Sequence, residues 1–168
     1  VLPTLINVTG AEVPEKDFDG KSFLPILMGK RKAHRRYVYG MHNNLPEGPS
    51  YPVRTVSDGS FRYLRNLKSE EIYIEKHLMG WTGKGELNNP YWATWVREAS
   101  TNSNTYELVK RYIHRPAEQL YNTRKDPYEL NDLIGSESHA EIKQRLSREL
   151  DQWMQSQGDP GSAQDTQE

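Results

Sequence analysis

The amino-acid sequence predicts an α+β fold: a small antiparallel sheet of about four strands packed against one long helix. Three observations carry this. In the first, residues 51–67 (YPVRTVSDGSFRYLRNL) form two β-rich runs around Asp58-Gly59. Val53, Thr55 and Ser57 alternate with Arg54 and Val56, and Phe61, Tyr63 and Arg65 alternate with Arg62, Leu64 and Asn66. That period of two marks strands, and Asp-Gly between them marks a hairpin, because Gly tolerates the positive φ of a tight turn. In the second, Ile142, Leu146, Leu150 and Trp153 recur at the three-to-four spacing of an amphipathic helix over residues 138–155. In the third, two further short strand-like runs, 37–41 and 118–121, bring the sheet to four.

The remaining elements follow in chain order. Residues 2–9 read as a helix, with Pro3 suited to its first turn and Gly10 to its stop. Leu2, Leu5, Ile6 and Thr9 would share one face. Residues 11–21 are a loop, and Ser22 is placed to cap a short helix that runs to Met28 and stops at Gly29. A basic run, 30–36, precedes the first strand, and residues 42–50 are a loop of turn formers. Residues 68–115 read as a helical insertion. It has a helix over 70–78, a Gly-rich loop over 80–89 and a helix over 90–113 with a weak stretch at 100–105. Tyr91, Trp92, Trp95 and Val96 form an aromatic stripe there, better read as core or interface than as a sugar platform. Residues 126–129 open a turn into a short helix ending near Gly135. After Gly158 the composition turns small and polar, and residues 157–168 are expected to be a disordered tail.

Composition narrows the function classes. A length of 168 residues suggests one domain with appendages, and 35% hydrophobic content with a mean hydropathy of -0.90 leaves a modest core. Much of that core must come from the 10 Tyr, 4 Trp and 3 Phe. Such a lean core hints that apolar surface is covered from outside the chain. A net charge of -1 gives no global pull toward nucleic acid or an acidic membrane, so anion recognition must be local. The absence of Cys excludes disulfides, thiol nucleophiles and Cys-ligated zinc. No apolar run is long enough to span a bilayer. The abrupt apolar start at Val1 favours truncation or processing.

Little in the chain reads as a self-contained catalytic centre. The five histidines are scattered, with no helical i, i+4 pair. Asp17 and Asp19 resemble the start of a calcium loop, but its twelfth position is Met28 rather than Glu, so a turn and helix cap is the better reading. The basic run reads as a solvated loop, and Asn7-Val8-Thr9 as a chance match to a glycosylation acceptor. The cluster of interest is His42, Asn43, Asn44 and Arg54. If the strands around them are neighbours, the loop bounds a small polar pocket whose guanidinium can grip a sulfate or carboxylate with two parallel hydrogen bonds. The competing reading pairs Arg54 with a carboxylate such as Asp58 or Glu47, and both use the same geometry.

Several motifs resemble the C-terminal part of a type-I, formylglycine-dependent sulfatase. They are Leu2-Pro3-Thr4-Leu5 through Gly10, Asp19-Gly20-Lys21-Ser22-Phe23-Leu24-Pro25-Ile26-Leu27, and Tyr37-Val38-Tyr39-Gly40-Met41-His42. They continue with Gln119-Leu120-Tyr121-Asn122 and Lys125-Asp126-Pro127-Tyr128-Glu129-Leu130-Asn131-Asp132-Leu133. Residues 51–56, 62–67 and Arg115-Pro116-Ala117-Glu118 point toward the heparan N-sulfatase (N-sulfoglucosamine sulfohydrolase) branch and its bacterial relatives.

The resemblance implies a fold and a division of labour. Residues 1–29 would be a remnant and linker of an alkaline-phosphatase-like catalytic domain, and 30–156 the C-terminal subdomain. The family hydrolyses sulfate esters or sulfamates with a formylglycine hydrate as nucleophile and a divalent cation, usually calcium. The nucleophile derives from a Cys-x-Pro-x-Arg or Ser-x-Pro-x-Arg signature, and the expectation is that this signature and the metal ligands lie outside this chain. The resemblance therefore carries over no catalytic residue and no metal ligand, and the chain alone is expected to be inactive. His42, Asn43 and Arg54 match positions at the rim of the substrate pocket. Implied partners are an N-terminal catalytic domain and a sulfated sugar, with neither nucleic acid nor a membrane span. The compartment implied is periplasmic, extracellular or lysosomal. A free-standing module that binds acidic sugars, or a purely structural fragment, are the alternatives.

Overall fold

A computed structural model describes residues 1–12, 18–45 and 48–165. Asp17, Glu47 and residues 166–168 of the expected tail lie outside the described residues. Contacts divide the chain into two compact units, residues 1–36 and residues 37 onward.

The first unit holds helices α1 (Leu2–Val8) and α2 (Leu24–Leu27). Pro3 occupies the first turn of α1, where its missing N–H costs nothing. Thr4 is buried, and its Oγ1 accepts the Phe23 amide at 3.1 Å, tying the two helical segments together. The α2 helix is shorter than expected. Phe23 rather than Ser22 takes the capping position, while Ser22 Oγ accepts the Leu24 amide at 3.3 Å. Leu2, Leu5 and Val8 remain exposed, while Pro3 is buried and Ile6 is half-buried.

The second unit is built on a four-stranded antiparallel sheet in the order β1 (Val38–His42), β2 (Val53–Ser57), β3 (Phe61–Asn66), β4 (Glu118–Asn122). The register aligns Tyr39, Val56, Tyr63 and Leu120 in one row across the sheet. Helix α6 (Ala140–Ser156) lays Leu146 and Leu150 onto that row, and these two leucines with Val56, Tyr63 and Leu120 form the fully buried core. Trp153 stacks on Tyr39, with ring centroids 4.9 Å apart and planes within 4°. Burial first, and then a hydrogen bond from the Tyr39 hydroxyl to Glu149 at 2.5 Å, push that hydroxyl's pKa up to about 12. The opposite face carries a second cluster, in which Tyr51, Val53 and Tyr73 are buried against Leu64 and Tyr112.

The β2–β3 hairpin differs from expectation by one residue. Asp58 pairs with Phe61, its amide bonding the Phe61 carbonyl at 3.2 Å, so Gly59 and Ser60 form the turn. Gly59 supplies the positive φ (+84°), and Asp58 Oδ1 accepts the Ser60 and Phe61 amides at 2.9 and 2.8 Å. A short polar side chain that satisfies the turn's own amides shifts it off the Asp-Gly centre.

The insertion also departs from expectation. Residues 70–75 are not helical, because Tyr73 is drawn into the sheet-facing cluster and its amide bonds the Ile113 carbonyl at 2.9 Å. Only α3 (Lys76–Met79) is helical, capped by the Glu75 side chain and closed by Gly80 at φ +75°. The expected 90–113 helix is two helices, α4 (Pro90–Ala99) and α5 (Ser103–Ile113). Asn102 accepts the Asn104 and Thr105 amides and so starts a new helix inside the weak stretch. Of the aromatic stripe only Trp92 is buried, against Tyr112 at 5.9 Å; Tyr91, Trp95 and Val96 are exposed. The short helix expected after residue 129 is instead a series of turns leading to a 3₁₀ segment, Glu137–His139.

Candidate functional site

The loop from the end of β1 to the start of β2 carries the residues singled out from the sequence. His42 pairs with Val53 and Met41 with Arg54, so the loop's two ends are neighbours across the sheet. Asn44 sits in the left-handed region (φ +69°) and is buried; its Nδ2 donates to the Pro49 carbonyl at 2.7 Å and the Ile74 carbonyl at 2.9 Å. A side chain at Gly48 would collide with both Asn44 and the Ile74 carbonyl, which explains the glycine. The Tyr51 amide bonds the Asn43 carbonyl at 3.0 Å and closes the loop. Asparagine chemistry thus fixes the loop's shape, because its side chain supplies both the tolerance of φ > 0 and the internal hydrogen bonds.

Asn43 and Arg54 meet directly, with Arg54 Nη1 donating to Asn43 Oδ1 at 2.8 Å. Arg54 is not at an open rim, however. Its side chain is 0% exposed, and it lies on the α6 face of the sheet. Its Nε donates to Asp159 Oδ2 at 2.5 Å and its Nη2 to Asp159 Oδ1 at 3.2 Å, a two-pronged grip on a carboxylate that is itself only 4% exposed. The arginine therefore does grip an oxyanion bidentately, and that oxyanion belongs to the chain. Of the carboxylates expected as its internal partner, Asp58 is engaged by Arg145 at 2.6 Å, and Glu47 lies outside the described residues. Asp159 was not legible as the partner, since nothing local marks an aspartate 105 residues away. The segment after Gly158 also departs from the expected disorder as far as Asp165, where Gly161–Asp165 forms a 3₁₀ turn. His42 is exposed at the end of β1, beside this pair and outside the buried network.

Similar ion pairs tie α6 to the sheet. Arg65 reaches Asp151 at 2.6 Å, Lys143 reaches Glu118 at 2.8 Å, and Arg145 reaches Asp58 at 2.6 Å. The Tyr63 hydroxyl also donates to Glu118. Three of these anchoring carboxyls titrate below their usual range. Arg54 lowers Asp159, and Lys143 and then Tyr63 lower Glu118. For Asp58, burial pulls upward, but Arg145 and the Phe61 and Ser60 amides outweigh it. A depressed folded-state pKa gives stability that is present above the unfolded value and lost as pH falls through the folded one. Stability should therefore be level down to about pH 5 and decline below about pH 4, the ordinary carboxyl range. Urea midpoints measured across pH 2–7 check this, and an unchanged midpoint at the acid end would refute it.

These commitments bear on the implied calcium and formylglycine. Among the described residues no three His, Cys, Asp or Glu side chains come together to hold a metal ion, and the acidic groups above are each taken by an arginine or lysine. The described residues do not fit a calcium centre. The nucleophile signature needs a correction. Ser50-Tyr51-Pro52-Val53-Arg54 does satisfy Ser-x-Pro-x-Arg. Its parts are spent on the fold, however. Ser50 Oγ accepts Lys68 Nζ at 2.5 Å, Pro52 is fully buried and its carbonyl accepts the Leu67 amide at 3.0 Å, and Arg54 is locked to Asp159.

Comparison with known proteins shows what this architecture resembles. No family model matches the chain. It is 35% identical over 161 residues to an ulvan-active sulfatase of Formosa agariphila, covering 95% of this chain and 28% of that protein. It is 22% identical over 148 residues to human N-sulphoglucosamine sulphohydrolase, covering 84% of this chain and 27% of that protein. Among solved structures, BT1596, a 2-O GAG sulfatase, superposes with a TM-score of 0.60 at 21% identity, over 95% of this chain and 24% of that one, which supports the fold. In sequence the chain is similar to sulfatases along nearly its whole length, and the superposition shows a shared fold over that stretch. It corresponds to their C-terminal part, and spans 28% of the length of the Formosa relative. No helix among the described residues is long and apolar enough to cross a membrane.

Proposed function

We propose that this chain is the C-terminal subdomain of a sulfatase acting on sulfated glycans, shaping the rim of the substrate pocket while the nucleophile and metal come from an N-terminal catalytic domain. The observation that carries it is the match to a sulfatase across 95% of this chain but only 28% of the relative. The exposed Leu2, Leu5 and Val8 of α1 fit this reading, since such a row is expected where another domain supplies the cover. Within the rim, His42 is the group free to face a sugar. Asn43 and Arg54 act beneath it by holding the loop in one shape.

Two assays test the division of labour. The 168-residue chain alone should show no turnover of an aryl sulfate or of glucosamine N-sulfate above buffer. Ser50→Ala in the full-length sulfatase should leave kcat/KM within about twofold, whereas loss of a true nucleophile costs many orders of magnitude. Turnover by the isolated chain, or collapse of activity in the Ser50 variant, would place the chemistry here and overturn the proposal.

A further inference from the structure

A pocket of about 380 Å³ lies between α5, β4 and the turn at 126–131, apart from the His42 loop. Its size falls within the roughly 300–1,000 Å³ usual for small-molecule sites. Its chemistry is unusually specific. Gln119 and Tyr121 line it from the sheet, both buried, with Gln119 Nε2 donating to the Tyr121 hydroxyl at 2.5 Å. Asn66 Nδ2 bonds Gln119 Oε1 at 3.0 Å from behind, so this polar wall is fixed.

Two arginines of this pocket do different jobs. Arg111 is a clamp. It donates to the Leu130 carbonyl at 2.6 Å and to the Glu129 carbonyl, and so pins a turn in which Glu129 takes a left-handed conformation (φ +55°). Asp126 Oδ2 accepts the Asn131 amide at 2.7 Å and tightens the same turn. Arg115 lies over Tyr73, its guanidinium carbon 3.6 Å from the ring centroid, with its Nε directed to the Tyr112 carbonyl at 3.3 Å. A guanidinium carries five N–H donors, so the bond to Tyr112 and the contact with Tyr73 do not use them all. The acidic group in the lining, Glu129, is neutralised by Arg62 at 2.8 Å. The pocket therefore keeps a positive character.

The pinned turn holds Tyr128 at the mouth of the pocket, 82% exposed. A strained, over-determined turn is a costly way to display a side chain that packs against little, and such strain gathers at binding sites. An exposed tyrosine offers an apolar face and a polar tip, the combination that stacks on a sugar ring. The geometry points to a second saccharide subsite here, for a sugar ring bearing a sulfate or carboxylate. Arg115 takes the oxyanion through its N–H edge, Tyr128 covers the ring, and Gln119 and Tyr121 present hydroxyl-matching groups below. The choice of an acidic sugar rests on the sulfatase reading above; the pocket itself does not.

Titration calorimetry of the 168-residue chain tests this with glucosamine N-sulfate, glucuronic acid, neutral N-acetylglucosamine and sodium sulfate. The charged sugars should bind saturably with Kd below about 10 mM, and the neutral sugar and free sulfate at least about tenfold more weakly. Tyr128→Ala, at so exposed a position, should leave the melting temperature unchanged and weaken the charged sugars about fivefold or more. Arg115→Lys keeps the charge and loses the fork, and should cost about tenfold. Should Arg115→Lys unfold, the Tyr128 variant and the preference for charged over neutral sugar still decide. No saturable binding, equal binding of neutral and charged sugars, free sulfate binding as tightly as the charged sugars, or indifference to Tyr128→Ala would each overturn the subsite. The sulfatase reading would survive any of these, because it rests on the sequence match along 95% of the chain and has the turnover assays as its own separate test.

Discussion

Asp159→Ala should lower the stability of the folded chain by about 3–5 kcal/mol, the usual cost of stripping one partner from a buried ion pair. The residue lies outside every regular strand and α-helix, in a stretch whose composition suggests a dispensable tail. Its partner makes it indispensable. Arg54 is 0% exposed and holds the Asp159 carboxylate with two nitrogens, while Nη1 is shared between Asn43 and the Val53 carbonyl. Remove the carboxylate and a guanidinium stays in the interior with only neutral oxygens to face. Water must then enter, or the edge of the sheet must open. The Gly161 amide, which bonds Asp159 Oδ1 at 2.8 Å, would lose its acceptor too. Urea unfolding reads the effect as a lower midpoint at constant m-value. A double-mutant cycle with Arg54→Met sharpens it, since removing both charges together should recover much of the loss. A drop below about 1 kcal/mol for Asp159→Ala would mean that the pair is solvated in practice and the anchor is not one.

Leu146→Ala comes next, with an expected loss of about 2–5 kcal/mol. Leu146 and Leu150 are fully buried on the inner face of α6, against Val56, Tyr63 and Leu120. This is the main joint between helix and sheet, and the aromatic Tyr63 in its centre is held from its hydroxyl end by Glu118. A rigid ring fixed at its far end cannot slide in to fill a missing isobutyl group, so the cavity should persist rather than collapse. Leu146→Met, close in volume, should cost less than about 1.5 kcal/mol and serves as the control. If the alanine variant were as stable as the methionine variant, the α6 joint would be looser than the packing indicates.

What the sequence revealed and what it hid divide along a physical line. The hairpin and the α6 stripe were readable because period two and period 3.6 are local, and burial on one face enforces them. The motifs from Tyr37 to Leu133 carry the resemblance to sulfatases because they are contiguous runs that need no tertiary information to read. The misreadings were of another kind. The 70–78 helix failed because Tyr73 gains more from the second cluster than its neighbours gain from helical bonds. The 90–113 helix broke where Asn102 prefers to cap. At the candidate site, the contact of Asn43 with Arg54 followed from strand neighbourhood, but the partner of Arg54 depended on where the chain returns after α6. No window of local pattern contains that information.

The span from Arg54 to Asp159 also sets an order of events during translation. A ribosome that has made β2 must add 105 more residues before the counter-charge for its buried arginine exists. Until then this sheet edge should breathe, open to chaperones and proteases, and only a polypeptide read through to that aspartate should seal it. Pulse proteolysis of nascent chains stalled just before and well after Asp159 would show whether synthesis is proofread in this way, and equal resistance of the two would show that it is not.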